Sequence, residues 1–114
     1  MNRTLLLLAV LALTSCNGVA RYKCLSRQAE AKSTLATVQS AETTYYASHK
    51  SYTASTSDLG IPVTPRFYSL ELSITGGGTG YKATAKGDKT ETMGDEWSVD
   101  QTGTVVAVHD KCHE

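Results

Sequence analysis

The chain has 114 residues and equal numbers of basic and acidic side chains, eleven of each, so its formal net charge is zero. With no basic stripe and no acidic block, the sequence argues against nucleic-acid binding. A chain of this length predicts one small domain with a modest core.

The first fifteen residues have the pattern of a secretory leader. Arg3 precedes nine apolar residues, from Leu5 to Leu13, as in the basic and apolar regions of a signal peptide. As a helix this run is roughly 14 Å long, less than half of a ~30 Å hydrocarbon core. We therefore interpret residues 1–15 as a cleaved signal and not as a permanent membrane span.

The residues Leu13-Thr14-Ser15-Cys16 resemble a bacterial lipobox, in which a small residue precedes a cysteine that receives lipid. The resemblance implies cleavage before Cys16, acylation of that cysteine, and a lipidated tether over residues 16–20. Several acyl chains anchor a protein stably, whereas a single chain binds membranes only marginally. Asn17 is not the aspartate that favours the inner membrane in enterobacterial lipoproteins, which favours an outer-membrane location. The alternative is an ordinary secretory signal with an incidental cysteine.

A long helix is predicted from about residue 19 to residue 50, a segment without Pro or Gly that is rich in good helix formers. One face of this helix carries an apolar stripe, which we expect to lie on a sheet. The stripe consists of Cys24, Ala31, Leu35, Val38 and Tyr45. Tyrosines 45, 46 and 52 surround the helix end. We expect them to pack together, although such a cluster could instead form a ligand platform.

A loop follows over residues 51–66, which are rich in Ser and Thr and contain one Gly and both prolines. We expect Leu59 and Ile61 to pin this loop to the domain.

Three or four short antiparallel strands are predicted after the loop. Alternating apolar residues predict strands over 67–74 and 81–86, and the alanines of the second would let a helix approach closely. The last two strands are predicted over 96–100 and 104–108, joined by a turn at 100–103. Since one helix and one sheet face must cover each other, the sequence predicts an α+β domain over residues 21–114. It consists of one long helix on a three- to four-stranded antiparallel sheet, with a tail over 109–114.

Three stretches of this domain resemble the type IV pilins and the pseudopilins of type II secretion systems. They are Ser26-Arg27-Gln28-Ala29-Glu30-Ala31-Lys32, then Ala41-Glu42-Thr43-Thr44-Tyr45-Tyr46 with Tyr52, and Asp95-Glu96-Trp97-Ser98-Val99-Asp100 with Gly103. Their order and spacing extend the resemblance over residues 19–112, and it implies the pilin head fold.

The N-terminal part departs from that family. A pilin has a short basic leader followed by a long apolar half-helix, which filaments bury in a central bundle. Here the lipoprotein leader occupies that place, and residues 19–50 are too polar to replace the missing half. We therefore expect a pilin-like head on a lipid tether and not a polymerising subunit.

The chain has three cysteines, of which one is the candidate lipidation site and the other two could pair. If Cys16 is acylated, Cys24 and Cys112 remain as a pair in an oxidising compartment, and we expect a disulfide there, with two free thiols as the alternative.

Metal-ligand side chains occur in two places. The tail contains His109, Cys112 and His113, but no second ligand pair at the spacing of structural zinc sites. The resemblance to pseudopilins suggests calcium at Asp88, Asp95 and Asp100, but these lack an Asp-x-Asp-x-Asp pattern. We therefore predict no metal.

No catalytic residues and no cofactor are predicted. The sequence has no nucleophile elbow and no carboxylate pair at a defined spacing, and His49 beside Lys50 is typical of a helix end.

Three functions remain open. The resemblance implies a lipid-anchored, non-enzymatic envelope component related to a type IV pilus or type II secretion system, without a small-molecule substrate. It would contact pilin-like or other envelope proteins through the 51–66 loop and the tail after Val108, with an interaction surface at Tyr46, Tyr52, Leu59 and Arg66. The second is a surface-displayed adhesin that uses Tyr46, Tyr52 and Phe67. The third is a small metal-dependent enzyme that uses the His/Cys tail.

Overall fold

A computed structural model of the protein describes the backbone of residues 2–61 and 65–113, with side chains for 18–19, 21–61 and 65–113. Within these residues the structure has one α-helix and four strands: α1 (Asn2–His49), β1 (Tyr68–Thr75), β2 (Gly80–Gly87), β3 (Glu96–Asp100) and β4 (Val106–His109). Short 3-10 turns lie at Gly76–Gly78 and Lys111–His113. Among the described residues, no helix combines the length and the apolar character needed to cross a membrane.

The helix begins earlier than predicted and ends where expected. It begins at Asn2 because the apolar leader is also helical and the helix continues through Asn17 and Gly18, although both are poor helix formers. It ends at His49, where Lys50 adopts the left-handed conformation (φ 58°) and donates its N–H to the carbonyl of Tyr46 at 2.8 Å. The side chain of Cys16 and those of the leader lie outside the described side chains, so the lipidation site stays a prediction.

The strands form one antiparallel sheet in the order β1-β2-β3-β4. β1 and β2 pair along their whole length, from Tyr68–Gly87 to Thr75–Gly80. β4 pairs with β3 across a bulge at Glu96 and Trp97. The predicted α+β class and the four antiparallel strands are therefore confirmed, with each strand beginning and ending within two residues of the prediction.

The core lies between the inner face of the sheet and the part of α1 that follows Cys24. Ala31, Leu35 and Val38 of α1 are completely buried. The sheet contributes Tyr68, Tyr81, Ala83, Ala85, Trp97 and Val99. The two alanines lie beneath the helix, where a side chain no larger than a methyl group permits close approach. Leu59 and Ile61 pack against this core, as predicted.

Burial falls off toward both edges of the sheet because α1 lies over β2 and β3. Along β1 it declines from buried Tyr68 to exposed Ile74, and all four residues of β4 are exposed. The alternation in β1 therefore predicted the direction of its side chains but not their degree of burial.

Candidate functional site

A polar cluster closes the base of the head, by which we mean the end from which the N-terminal part of α1 projects. Asp95, which has no exposed surface, precedes β3 and accepts four hydrogen bonds. Its Oδ1 accepts from Gln28 Nε2 at 3.2 Å and from the backbone N–H of Lys111 at 2.9 Å. Its Oδ2 accepts from the Tyr68 hydroxyl at 2.9 Å and from Trp97 Nε1 at 2.6 Å. These five residues, the Asp95 cluster, join α1, β1, β3 and the tail, and the four donors compensate the burial of a carboxylate.

The loop between β2 and β3 holds Asp95 in place. Asp88 accepts the Glu91 N–H on its side chain at 2.6 Å and the Gly94 N–H on its carbonyl at 2.9 Å. The end of this loop packs closely against Gly87: a Cβ added at Gly87 would lie 2.8 Å from the carbonyl oxygen of Asp95. A glycine is therefore required at that position.

A disulfide between Cys24 and Cys112 lies beside the Asp95 cluster, as predicted for the cysteine pair. Gln28 donates a second hydrogen bond to Asp110 at 2.7 Å, and His113 contacts the same carboxylate at 2.8 Å. The hydrogen bond with His113 is the main reason that the pKa of Asp110 is lowered. The C-terminal tail is therefore fixed to α1 covalently and through polar contacts.

Three ligand-type side chains meet at this base, since atoms of Asp95, Asp110 and Cys112 lie within 4.8 Å of one another. The sulfur is already part of a disulfide, and each oxygen of Asp95 already accepts two hydrogen bonds. Neither is available as the thiolate or open carboxylate that a metal requires. This arrangement is suited to holding the tail.

The three aspartates considered for calcium do not converge. Asp88 organises its own loop, while Asp95 and Asp100 lie at opposite ends of β3. Asp100 accepts the N–H of Thr102 at 2.9 Å, and hydrogen bonds from Thr102, the side-chain one foremost, lower its pKa.

A second buried carboxylate lies toward the C-terminal end of α1. Glu42 has no exposed surface and accepts the Thr53 N–H with both oxygens, at 3.2 and 3.3 Å. Burial raises the pKa of Glu42 above its usual 4.5, and the Thr53 hydrogen bond opposes that shift. The buried Tyr81 hydroxyl has no hydrogen-bond partner among the described residues. Burial, followed by the charge of Glu42, raises the pKa of Tyr81 to about 12.

Two of the three tyrosines at the helix end, Tyr46 and Tyr52, pack on each other. The rings of Tyr46 and Tyr52 lie 4.6 Å apart, and Tyr52 meets the buried Tyr81 edge-on at 4.9 Å. Tyr45, predicted on the sheet-facing stripe, is not part of the core: it stacks on His49 at 3.9 Å and lies on the outer side of α1 beside Leu59. The expected aromatic packing is therefore present, and Tyr46 and Tyr52 keep only part of their surface for contact with other molecules.

The four residues predicted as an interaction surface fall into two places. Tyr46 and Tyr52 lie together, and Leu59 lines an open groove of about 750 Å³ between the 51–61 loop and the outer side of α1. Arg66 lies toward the base, because its neighbour Phe67 donates its backbone N–H to Glu30 at 3.0 Å. Residue 30 is about 24 Å along the helix from residue 46. Arg66 therefore lies away from Tyr46, and Leu59 lines a groove that includes neither Tyr46 nor Tyr52.

Phe67, considered as an adhesin contact, is covered on one side. The guanidinium of Arg27 lies 3.8 Å from the centre of its ring and also pairs with Glu91 at 3.4 Å. This stack ties β1 and the 88–95 loop to α1.

Among the buried polar residues that sequence reasoning missed, Gln28, Glu42 and Asp95 make the contacts described above. The signal for the first two was present, because residues 24, 28, 31, 35, 38 and 42 alternate spacings of four and three along one helix face. Gln28 and Glu42 were missed because only apolar residues were assigned to the sheet-facing stripe of the helix. For Asp95 the sequence offered no comparable periodic signal.

Neither a family model nor a curated protein matches the chain. Among solved structures, the chain is similar to a type IV pilin from Shewanella oneidensis, with 20% sequence identity. The match covers 74% of this chain and 94% of the pilin, with a TM-score of 0.55. The chain therefore has a pilin-like fold, a long N-terminal helix packed on an antiparallel sheet.

Proposed function

We propose that the protein is a lipid-anchored, non-enzymatic subunit of the bacterial cell envelope. Its pilin-like head would bind pilin-like or other envelope proteins of a type IV pilus or a type II secretion-related system. The observation that carries this proposal is the pilin-like arrangement of helix and sheet, joined to a leader that ends in a lipobox-like sequence.

The charges on α1 favour a tether over a place in a filament core. After the apolar run ends at Leu13, the helix carries Arg21, Lys23, Arg27 and Glu30. Charged side chains are costly in an apolar bundle. A helix of this composition suits a stalk that joins an anchor at Cys16 to the head and lies outside any apolar bundle.

The anchor is tested by metabolic labelling with a fatty acid and by membrane fractionation of the wild type and Cys16→Ala. We expect the wild type to be labelled, to lack residues 1–15 and to sediment with membranes, and Cys16→Ala to lose the label. Ser15→Ala, which keeps a small residue before the cysteine, serves as the control and should be acylated normally. An unacylated wild-type protein that retains residues 1–15 would refute the anchor.

The contact surface is placed at Tyr46, Tyr52 and the 51–61 loop, at the end of the head farthest from the anchor. These residues combine partly exposed aromatic rings with a groove, which are common features of protein contacts. Arg66 is a separate candidate contact nearer the base.

Site-specific photocrosslinking in intact cells tests this surface. A photoreactive phenylalanine derivative at Tyr46 should give adducts with an envelope protein of a pilus or secretion system. The same group at Ser69, which is exposed on β1, is the matched control and should not. Identical adducts at both positions, or adducts without any such component, would contradict the proposal.

A further inference from the structure

An apolar ridge lies on α1 below the head, and nothing in the described part of the chain covers it. Val19, Tyr22 and Leu25 follow one another at intervals of three residues, which places their side chains in a row. They are 53%, 71% and 38% exposed. Tyr22 is two residues from Cys24, which faces the head, so the ridge points away from the sheet.

Basic side chains flank the ridge. Arg21 and Lys23 lie on either side of Tyr22, and both are exposed. Neither forms an ion pair with any residue whose side chain is described. An exposed tyrosine with apolar neighbours and flanking cations is typical of a helix at a membrane interface.

The charges that remain after the proposed cleavage are segregated in the same way. Residues 16–26 contain two basic residues and no acidic one, whereas residues 27–114 contain eight basic and eleven acidic residues. The mature chain thus has a basic stalk and an acidic head. An anionic surface attracts the first and repels the second.

We infer that residues 19–25 dock on the surface of an anionic lipid bilayer, with Tyr22 at headgroup level and Arg21 and Lys23 against lipid phosphates. This inference rests on the proposed anchor at Cys16, which lies about 9 Å from Tyr22 along the helix. The anchor keeps the ridge at high effective concentration next to the bilayer. The docked stalk tilts the helix toward the membrane plane, and the acidic head is held away from it.

The test measures the depth of residue 22 in the acylated protein reconstituted into vesicles. The vesicles contain phosphatidylcholine brominated in its acyl chains, with or without phosphatidylglycerol. Trp97 is the chain's one tryptophan and is buried in the head, so the wild type provides an unquenched reference. In Tyr22→Trp we expect the additional fluorescence to be quenched in vesicles that contain phosphatidylglycerol and to recover at high salt.

Two charge variants, each made in the Tyr22→Trp protein, identify the cause. The double substitution Arg21→Gln and Lys23→Gln should lower the ratio of docked to undocked protein by about 25-fold, because each cation near an anionic surface raises that ratio by about fivefold. Lys50→Gln with Lys82→Gln removes the same charge from exposed positions in the head and should leave the quenching unchanged.

Mass spectrometry of Cys16 in the same sample separates the two proposals. Acylated, vesicle-bound protein without quenching refutes docking and leaves the anchor intact, whereas unacylated protein refutes both. Equal quenching in neutral vesicles or in the Arg21/Lys23 variant refutes docking on anionic lipid, because residue 22 would then enter the bilayer without any contribution from the two cations. Crosslinking of residue 22 to a protein in cells when vesicles give no quenching also refutes docking, because a protein then covers the ridge.

Discussion

Replacing Asp95 with asparagine tests whether the Asp95 cluster holds the head together. The carboxylate accepts two hydrogen bonds on each oxygen, from Gln28, Lys111, Tyr68 and Trp97. An amide of the same shape accepts on its oxygen only, and its NH2 group must face two of these donors.

Both orientations of the amide leave a mismatch. With the NH2 group toward β1 and β3, the Tyr68 hydroxyl can rotate and accept a hydrogen bond from it. The Trp97 N–H can only donate, so it then faces a second donor. With the NH2 group toward α1 and the tail, it faces the N–H of Lys111. One buried donor is left unpaired at a cost of about 1–3 kcal/mol, and the remaining bonds lose their charge-assisted strength. We therefore expect Asp95→Asn to lower the free energy of unfolding by about 2–4 kcal/mol.

Urea unfolding at neutral pH, followed by far-UV circular dichroism with the disulfide intact, measures this loss. Glu71→Gln is the matched control, since it removes one negative charge from an exposed pair with Lys86 at 3.2 Å. It should cost no more than about 0.5 kcal/mol. If Asp95→Asn is as stable as Glu71→Gln, the cluster does not contribute what its geometry implies.

Three further predictions concern other parts of the head. The raised pKa of Glu42 means that its contribution to stability is present below the unfolded value of 4.5 and is lost as the pH rises through the folded pKa. In urea titrations, the free energy of unfolding of Glu42→Gln should therefore rise relative to that of the wild type as the pH increases from 4 to 7. If the difference between the two proteins does not change with pH, burial of the Glu42 charge is not costly. Replacing Cys24 and Cys112 with serine should remove about 4–5 kcal/mol, because the bond closes a loop of 88 residues. Unfolding with and without reductant checks this, and a reductant-insensitive wild type would contradict it. Leu35→Ala should cost about 2–5 kcal/mol by thermal unfolding, whereas the exposed Leu25→Ala should change stability by less than about 0.5 kcal/mol; similar losses in both would place the core elsewhere.

Periodicity predicted the elements and the core because side-chain burial repeats with helix and strand geometry. The three-and-four spacing of Ala31, Leu35 and Val38 predicted the buried helix face. The alternation around Trp97 and Val99 predicted the inner face of β3. These residues are buried where predicted.

The polar contacts could not be predicted in the same way, because each joins residues far apart in sequence. Asp95 meets Gln28 across 67 positions, and Phe67 meets Glu30 across 37. The separation of Arg66 from Tyr46 follows from the path of the loop, which its Ser- and Thr-rich composition does not specify.

The sequence by itself determined the long helix, the short antiparallel strands and the apolar interface between them, since each depends on residue type and local spacing. Only the tertiary structure decided which polar side chains are buried, how the tail is fixed to α1, and that the ridge at Tyr22 faces away from the head. The physical reason is that burial of a polar group is favourable only when its hydrogen-bond partners arrive from other elements, and their arrival depends on the packing of the whole chain.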